Sequence, residues 1–234
     1  MIDTRAADTQ NYGRGLYRRG LYARAVKPLL DITLGLFALP FLGISLPVIG
    51  ALIKRADGGP VFYNAPRVGK SGRTFTMYKY RTMHLDAPPL KEPDGSTYNA
   101  PDDPRLTRIG RMLRRTSLDE LPQVINILKG DMSFIGPRPD LIEEVALYSG
   151  EEPLRLAVKP GISGYAQVYG RNAIPWRDRL ALDVVYVKRQ SFLLDARIFF
   201  KTFVVVLQQK GIFNGEGPDD ARGKLNGEGQ DDAR

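Results

Sequence analysis

The sequence predicts an α+β protein: a mainly helical cytoplasmic domain with short strands, anchored by an N-terminal re-entrant membrane segment of the helix-break-helix type. Three observations predict this class. An uncharged run of 22 residues spans 32–53, two short β-type runs surround the turn 69–72, and helical periodicity dominates the second half. We divide the chain into a disordered tail at 1–13, interfacial and membrane helices at 14–56, the cytoplasmic domain at 57–211, and a disordered acidic tail at 212–234.

The membrane segment runs from Ile32 to Ile53 and is long enough to cross a bilayer, for which about 20 apolar residues suffice. Pro40 and Pro47 lie inside it, and each removes a backbone donor, which favours a break in the helix. Both flanks are basic, so the positive-inside rule places both ends in the cytoplasm. A helix that breaks and leaves by the face through which it entered satisfies these observations. A straight transmembrane helix and a buried core helix are the alternatives.

The rest of the chain reads as a soluble domain. Short strands are predicted at 60–63 and 74–83, and the residues 86–104, rich in Pro, Asp and Gly, predict an exposed loop. Apolar residues at helical spacing predict an amphipathic helix over 121–128 that Gly130 ends. Further helices are predicted around 106–113, 140–149, 176–189 and 195–210. At the C-terminus, NGEGPDDAR at 214–222 recurs as NGEGQDDAR at 226–234, a composition that predicts disorder.

Composition excludes several kinds of chemistry. The 234 residues include no cysteine and one histidine, His84, which excludes disulfides, thiolate metal sites, cysteine nucleophiles and histidine clusters. The net charge is +8, but the last 21 residues hold six acids and three bases, which leaves 31 basic and 20 acidic residues elsewhere, or +11. Such a surplus indicates a polyanionic partner: nucleic acid, anionic lipid or phosphorylated small molecules.

Adjacent carboxylates at Asp119 and Glu120 are the strongest candidates for catalysis. Beside them lie Arg111, Arg114 and Arg115, and Arg138 follows in the turn Gly136–Pro139. Free amides at a helix N-terminus and nearby arginines suit phosphate, so an ionised Asp could attack phosphorus or hold Mg²⁺ against a diphosphate. The structural alternative is a capping box formed by Ser117 and Glu120.

Lys79 and Arg81 lie two residues apart in the second predicted strand and therefore on one face, where both could contact phosphate. An exposed basic strand face is the alternative. The turn-rich residues 160–172 include polar and aromatic side chains that could contact sugar or uridine, or could form a structural loop.

Several long motifs in order give the sequence a resemblance to a known family. They read IKRADGGPVFYNAPRVG, FTMYKYRTM, DPRLTRIGRMLRRTSLDELPQVINILKGDMSFIGPRP, VKPGISGYAQVYGRNAI and LDVVYVKRQSFLLDARIFFKT. Across 24–211 the chain resembles the bacterial sugar transferases, small monotopic phosphoglycosyl transferases that begin the assembly of surface glycans such as exopolysaccharides.

The resemblance implies a two-step reaction at the cytoplasmic face of the bacterial inner membrane. Asp119 would attack the β-phosphorus of a UDP-sugar, release UMP and carry a covalent sugar-phosphate intermediate. A polyprenyl phosphate, undecaprenyl phosphate in the family, would then displace it to give a polyprenyl-diphospho-sugar. The implied cofactor is Mg²⁺ with Asp119 as its ligand, while Glu120 helps to place the metal or to deprotonate the acceptor.

Further roles are implied by position in the family motifs. Phosphate and nucleotide contacts fall on Lys79, Arg114 and Arg138, and the turn around Arg138 is shaped by Pro137 and Pro139. Asp183, in the motif LDVVYV, is the residue for which the resemblance gives the weakest support of a functional role. The family breaks its membrane helix at a Ser-Pro pair, whereas here Ser45 and Pro47 are separated by Leu46, so either Pro40 or Pro47 could make the break.

Two other classes were weighed against this enzyme. A nucleic-acid binder would use the same basic surplus, but no nucleic-acid motif is present, so we expect inner-membrane lipids and no nucleic acid as partners. An inactive family member is disfavoured because the carboxylates and Arg138 are intact. The sequence leaves open the transferred sugar, a homo-oligomeric state and the role of the C-terminal repeat.

Overall fold

The computed structural model describes residues 20–91, 98, 100, 103–170 and 174–208. The predictions for the tails 1–13 and 212–234, and for part of 86–104 and 160–172, concern residues outside these ranges. The helices are α1 Lys27–Asp57, α2 Arg108–Thr116, α3 Gln123–Lys129, α4 Ile142–Val145, α5 Tyr165–Tyr169, α6 Trp176–Arg189 and α7 Phe192–Gln208. The strands are β1 Phe62–Val68, β2 Thr74–Tyr80, β3 Ser133–Ile135 and β4 Gly161–Ser163. This mostly helical chain with short strands confirms the α+β prediction.

The apolar N-terminal segment forms one continuous helix. A π-helical turn, Tyr22–Val26, leads into α1, and together they are long and apolar enough to cross a membrane. The predicted break is absent, because Pro40 and Pro47 both lie inside α1 without ending it. Each proline removes one donor, and an apolar helix tolerates that loss when neighbouring groups satisfy the freed carbonyls. A re-entrant path does not follow from this helix alone.

One face of α1 packs on the domain over the whole length of the helix. Near its start, Asp31 accepts hydrogen bonds from the Ser133 hydroxyl (2.9 Å) and the Phe134 amide (3.0 Å). In the second half the Ser45 hydroxyl lies 2.9 Å from the hydroxyl of Tyr80, and at the end Asp57 forms an ion pair with Arg81. A helix of 31 residues is about 46 Å long. Through these contacts, both of its ends lie against the same domain.

The shared core explains this attachment. Leu42, Ile49 and Ile53 of α1 form one buried cluster with Tyr80 of β2 and Leu113 of α2. Gly35 allows the closest approach: a Cβ there would lie 2.8 Å from a methyl carbon of Leu128. Apolar burial of this extent makes α1 an integral part of the fold.

The opposite face of α1 is apolar and exposed. Phe37 and Ile44 are each 71% exposed, and Phe41 is 68% exposed. α7 adds Phe200 and Leu207, which are 69% and 82% exposed. Apolar patches of this size mark protein or membrane contacts, which agrees with the membrane association expected from the sequence.

A buried polar cluster joins the start of α1 to the start of α7. The Lys27 ammonium lies 2.5 Å from Oδ2 of Asp195, which also accepts a hydrogen bond from the Tyr22 hydroxyl. Tyr186 donates to the other oxygen of Asp195 at 2.8 Å. Because buried charges are costly unless paired and hydrogen-bonded, this cluster fixes where the two helices meet.

The antiparallel hairpin β1–β2 packs on α3. Asn126 of α3 is fully buried, accepts from the Tyr78 amide at 3.0 Å and donates to the Thr76 carbonyl at 2.7 Å. Gly130 follows α3 at φ 84°, so the predicted glycine stop is confirmed. β1 lies slightly later in the chain than predicted.

The sequence analysis missed the parallel pair β3–β4, which holds the loop 136–140. The Gly136 amide donates to the Ser163 carbonyl, and the Gly161 amide donates to the Pro137 carbonyl. A Cβ on Gly161 would lie 2.1 Å from the Gly136 nitrogen. Only glycine permits this contact, which fixes the loop against β4.

Arg155 fixes the same loop from behind. Its guanidinium is buried, contacts the carboxylates of Asp140 and Asp183 and the hydroxyl of Tyr148, and donates to the Arg138 carbonyl at 2.9 Å. The Arg155 side chain therefore holds four groups together, and these groups lie on three segments of the chain.

We expect Arg155→Met to lower the free energy of unfolding by about 3–5 kcal/mol, because it leaves buried carboxylates without their cation. Arg177→Gln is the control, since Arg177 is half-exposed and pairs with Glu152 at the surface; its loss should cost less than about 1 kcal/mol. Denaturant unfolding in detergent measures both. Equal destabilisation by the two variants would contradict a buried role for Arg155.

Candidate functional site

The carboxylates Asp119 and Glu120 lie in a 3-10 turn, Leu118–Glu120, that connects α2 to α3. Ser117 adopts φ 57° just before this turn and makes no side-chain capping bond there. The capping-box alternative is therefore wrong, because the Glu120 carboxylate points to cations and not back to the backbone. The turn, rather than a helix N-terminus, presents both acids, which we call the carboxylate pair.

Two cations from distant segments meet at Glu120. The Lys79 ammonium lies 2.7 Å from its Oε1, and the Arg138 guanidinium lies 2.9 Å from the same oxygen. Asp119 is less engaged, since its Oδ2 lies 3.4 Å from Lys79. Glu120 is thus held by short ion pairs, whereas the contact between Lys79 and Asp119 is longer.

The surroundings shift the pKa values of the carboxylate pair in opposite directions. Burial raises the pKa of Asp119, and the attraction of Lys79 does not fully offset it. Burial also opposes ionisation of Glu120, but Arg138 and Lys79 outweigh it and lower the pKa of Glu120. Adjacent acids separated in this way can take different roles in one reaction.

Arg114 stands beside Asp119 at the end of α2. Its Nε donates to the Thr82 hydroxyl at 3.2 Å, and burial lowers its pKa, an effect that the nearby Asp119 charge opposes. Arg138 contacts the other acid of the pair, Glu120. It is exposed between the buried residues Pro137 and Pro139, so the two prolines hold the loop while the guanidinium faces the site.

Two predicted residues do not reach the carboxylate pair. Arg81 follows the end of β2 and is buried in an ion pair with Asp57, where it also donates to the Pro60 carbonyl at 2.7 Å. The prediction that Arg81 shares a phosphate-binding face with Lys79 is therefore wrong, because Arg81 turns toward Asp57. Asp183 is 2% exposed and is bound by Arg155, so its link to the site runs through the loop of Arg138.

Some site residues were missed by the sequence analysis. Arg155 supports the Arg138 loop, but nothing in the local pattern around it signals a buried cation. Arg67 of β1 also approaches this loop. Arg67 lies four residues after Tyr63 and therefore on the same face of β1, and Tyr63 lies opposite Lys79. Strand alternation could thus have identified Arg67.

The carboxylate pair could hold a divalent cation together with a substrate. Within the described ranges no group of three or more His, Cys, Asp or Glu side chains is placed to hold a metal. Mg²⁺ typically binds proteins through one or two carboxylates and completes its shell with water and substrate phosphates. The buried Asp119 and the partly buried Glu120, beside cations that suit phosphate, fit that pattern.

Comparisons with known proteins identify the family of this chain. The model of the family described as bacterial sugar transferase matches residues 22–209. The chain is 43% identical over 187 residues to an uncharacterized sugar transferase, EpsL, of Bacillus subtilis, covering 80% of this chain and 90% of EpsL.

Two further relatives have more specific names. The undecaprenyl-phosphate galactose phosphotransferase of Salmonella typhimurium is 40% identical over 67% of this chain and 35% of the relative. The UDP-N-acetylgalactosamine-undecaprenyl-phosphate N-acetylgalactosaminephosphotransferase of Aeromonas hydrophila is 39% identical over 78% of this chain and 44% of the relative. This chain thus spans less than half of these two proteins. From the family match and the relationship to EpsL, we conclude that it belongs to the bacterial sugar transferase family.

Proposed function

We propose that the protein transfers sugar-1-phosphate from a UDP-sugar to undecaprenyl phosphate and releases UMP. The observation that carries this proposal is a buried Asp119, 3.4 Å from Lys79, next to a Glu120 that Lys79 and Arg138 hold at 2.7 Å and 2.9 Å. The Salmonella and Aeromonas relatives bear names that describe transfer of this kind, which supports it. Because those names specify different sugars, the proposal leaves the sugar open.

In the first step, an Asp119 oxygen would form a bond to the β-phosphorus of the UDP-sugar. The bond between that phosphorus and the bridging oxygen would break, and its electron pair would leave with UMP. Burial leaves the Asp119 carboxylate weakly hydrated and more basic than an exposed one, which favours attack once it is ionised. Arg114 and Lys79 would stabilise negative charge on the transferring phosphoryl group.

In the second step, a phosphate oxygen of undecaprenyl phosphate would attack the same phosphorus. The bond to Asp119 would break, and its carboxylate would be regenerated as polyprenyl-diphospho-sugar leaves. Glu120 would keep Lys79 and Arg138 in place throughout, because their ion pairs with it join three segments of the chain.

Mg²⁺ is part of the proposal. Asp119 would be its main protein ligand, with Glu120 close enough to share in holding it. When bound, Mg²⁺ supplies Lewis-acid neutralisation of the diphosphate. The remaining work falls to the chain itself: Lys79, Arg114 and Arg138 bind and orient the phosphates.

We further propose a monotopic attachment to the cytoplasmic face of the inner membrane. The two ends of α1 contact the same domain through Asp31 and Asp57, while its outer face exposes apolar side chains. A helix held in this way supports a position along the membrane interface, with both ends on one side of the bilayer. The lipid acceptor would then meet the site at the membrane surface.

Asp119→Asn should reduce UMP release at least about a thousandfold, because it removes the nucleophile. The assay supplies the detergent-solubilised protein with Mg²⁺, a panel of UDP-sugars and undecaprenyl phosphate. With the acceptor omitted, wild-type protein should retain label from a sugar-labelled UDP-sugar, and the variant should retain none. Asp131→Asn, a surface change close in sequence, is the control. Wild-type turnover by Asp119→Asn would refute the proposed nucleophile.

Chelation tests the metal. Removal of divalent cations with EDTA should lower UMP release at least about a hundredfold, since neutralising a diphosphate by a metal is worth several kcal/mol. Readdition of Mg²⁺ should restore the rate, whereas raising the NaCl concentration to the same ionic strength should not. Undiminished turnover in EDTA would show that the cationic side chains suffice without a metal.

A further inference from the structure

Arg67 lies on the face of the hairpin that carries Lys79. In the β1–β2 register, Tyr63 is opposite Lys79 and Arg67 is opposite Phe75. Because side chains alternate across a strand, Tyr63 and Arg67 share a face, and that face is the one from which Lys79 reaches the carboxylate pair. Strand geometry therefore directs Arg67 to the side of the hairpin on which the candidate site lies.

A backbone hydrogen bond brings Arg67 beside Arg138. The amide of Val68, the next residue of β1, donates to the Asp140 carbonyl at 3.1 Å, which joins the end of the strand to the loop 136–140. Burial and then the charge of Arg138 are the main causes that lower the pKa of Arg67. The two guanidinium groups therefore lie close enough for their charges to interact.

The acids near Arg67 are engaged with other groups. Asp140 accepts hydrogen bonds from Tyr148 and Arg155, and Glu144 accepts one from the Leu141 amide at 2.9 Å. Arg67 itself donates to the Pro66 carbonyl at 2.9 Å and forms no ion pair with any acid in the described part of the chain.

Adjacent like charges repel, so the fold holds Arg67 and Arg138 together at a cost that a bound anion would remove. Lys79 and Arg138 already share the charge of Glu120, and Arg67 adds a positive charge that forms no ion pair with an acid among the residues that the structure describes. Arginine forks match phosphate oxygens in a bidentate manner. A phosphate group therefore fits the chemistry of this pair.

We propose that Arg67 and Arg138 form a second phosphate subsite that binds a substrate phosphate which is not under attack by Asp119. This inference rests on the proposed function, which supplies two sources of such a group. One is the nucleotide phosphate of the UDP-sugar, and the other is the phosphate of the lipid acceptor. Arg67 is a substrate-binding residue in either case.

The test compares Arg67→Gln and Arg67→Lys with Arg73→Gln in the full-length, detergent-solubilised protein. Arg73 is an exposed arginine on the same hairpin and serves as the matched control. Loss of one charge-assisted hydrogen-bonding partner should raise one KM by about tenfold to a hundredfold in Arg67→Gln. Arg67→Lys should recover part of the loss because it keeps the charge, and Arg73→Gln should match wild type.

Separate KM measurements for the two substrates show which of them supplies the phosphate that the subsite binds. A higher KM for UDP-sugar with an unchanged KM for undecaprenyl phosphate assigns the subsite to the donor, and the reverse assigns it to the acceptor. If Arg67→Gln and Arg73→Gln have equal KM values for both substrates, or if Arg67→Gln lowers only kcat, the proposal is overturned. Thermal unfolding of each variant identifies a loss caused by misfolding, in which case Arg67→Lys decides by the same KM criteria.

A binding measurement separates this inference from the proposed function. Calorimetric titration with inorganic pyrophosphate should show an affinity at least about tenfold weaker for Arg67→Gln than for wild type or Arg73→Gln. That result supports the subsite even if wild-type protein releases no UMP from any UDP-sugar, which would refute only the proposed reaction. Equal pyrophosphate affinities, or none in wild type at millimolar concentrations, overturn the subsite.

Discussion

The candidate site depends on one oxygen atom, Oε1 of Glu120, which accepts both Lys79 and Arg138. Those cations come from the hairpin and from the loop after β3, so a single carboxylate holds together three segments that are distant in sequence. Glu120 can do this because its cations keep it ionised despite burial. Asp119 is left with a more basic carboxylate and a weaker contact, which is the condition for a reactive group.

Contacts from several other parts of the fold hold the loop that carries Arg138. Gly136 and Gly161 allow β3 and β4 to approach closely, Arg155 binds the Arg138 carbonyl, and β1 bonds to the Asp140 carbonyl. The loop that carries Arg138 is thereby fixed on three sides. Pre-positioned charge of this kind stabilises a transition state without reorganisation during the reaction, which explains why so much buried polar structure lies behind one exposed guanidinium.

The sequence predicted the features that local patterns encode. The helix 176–189 and the stop at Gly130 follow from periodicity and glycine, and the basic residues near the carboxylate pair were recognised from their clustering. β3 and β4 have three residues each, too few to show alternation. The pairing of Arg81 with Asp57 joins residues 24 apart, and strand alternation could not reveal that an ion pair would turn this arginine away. The continuous α1 was not predicted, because the expectation that proline breaks a helix does not take into account the packing of that helix against a domain.

The ion pairs at the two ends of α1 fix the position of the carboxylate pair relative to the apolar surface. Lys27 is bound to Asp195 at one end and Asp57 to Arg81 at the other, and Arg81 follows directly on the strand that carries Lys79. The depth of the site is therefore a property of the protein and not of lipid thickness. Under the proposed function, a lipid acceptor that diffuses in the plane of the bilayer would meet Asp119 at a constant height. Its search would be confined to two dimensions, while a soluble donor would arrive from three.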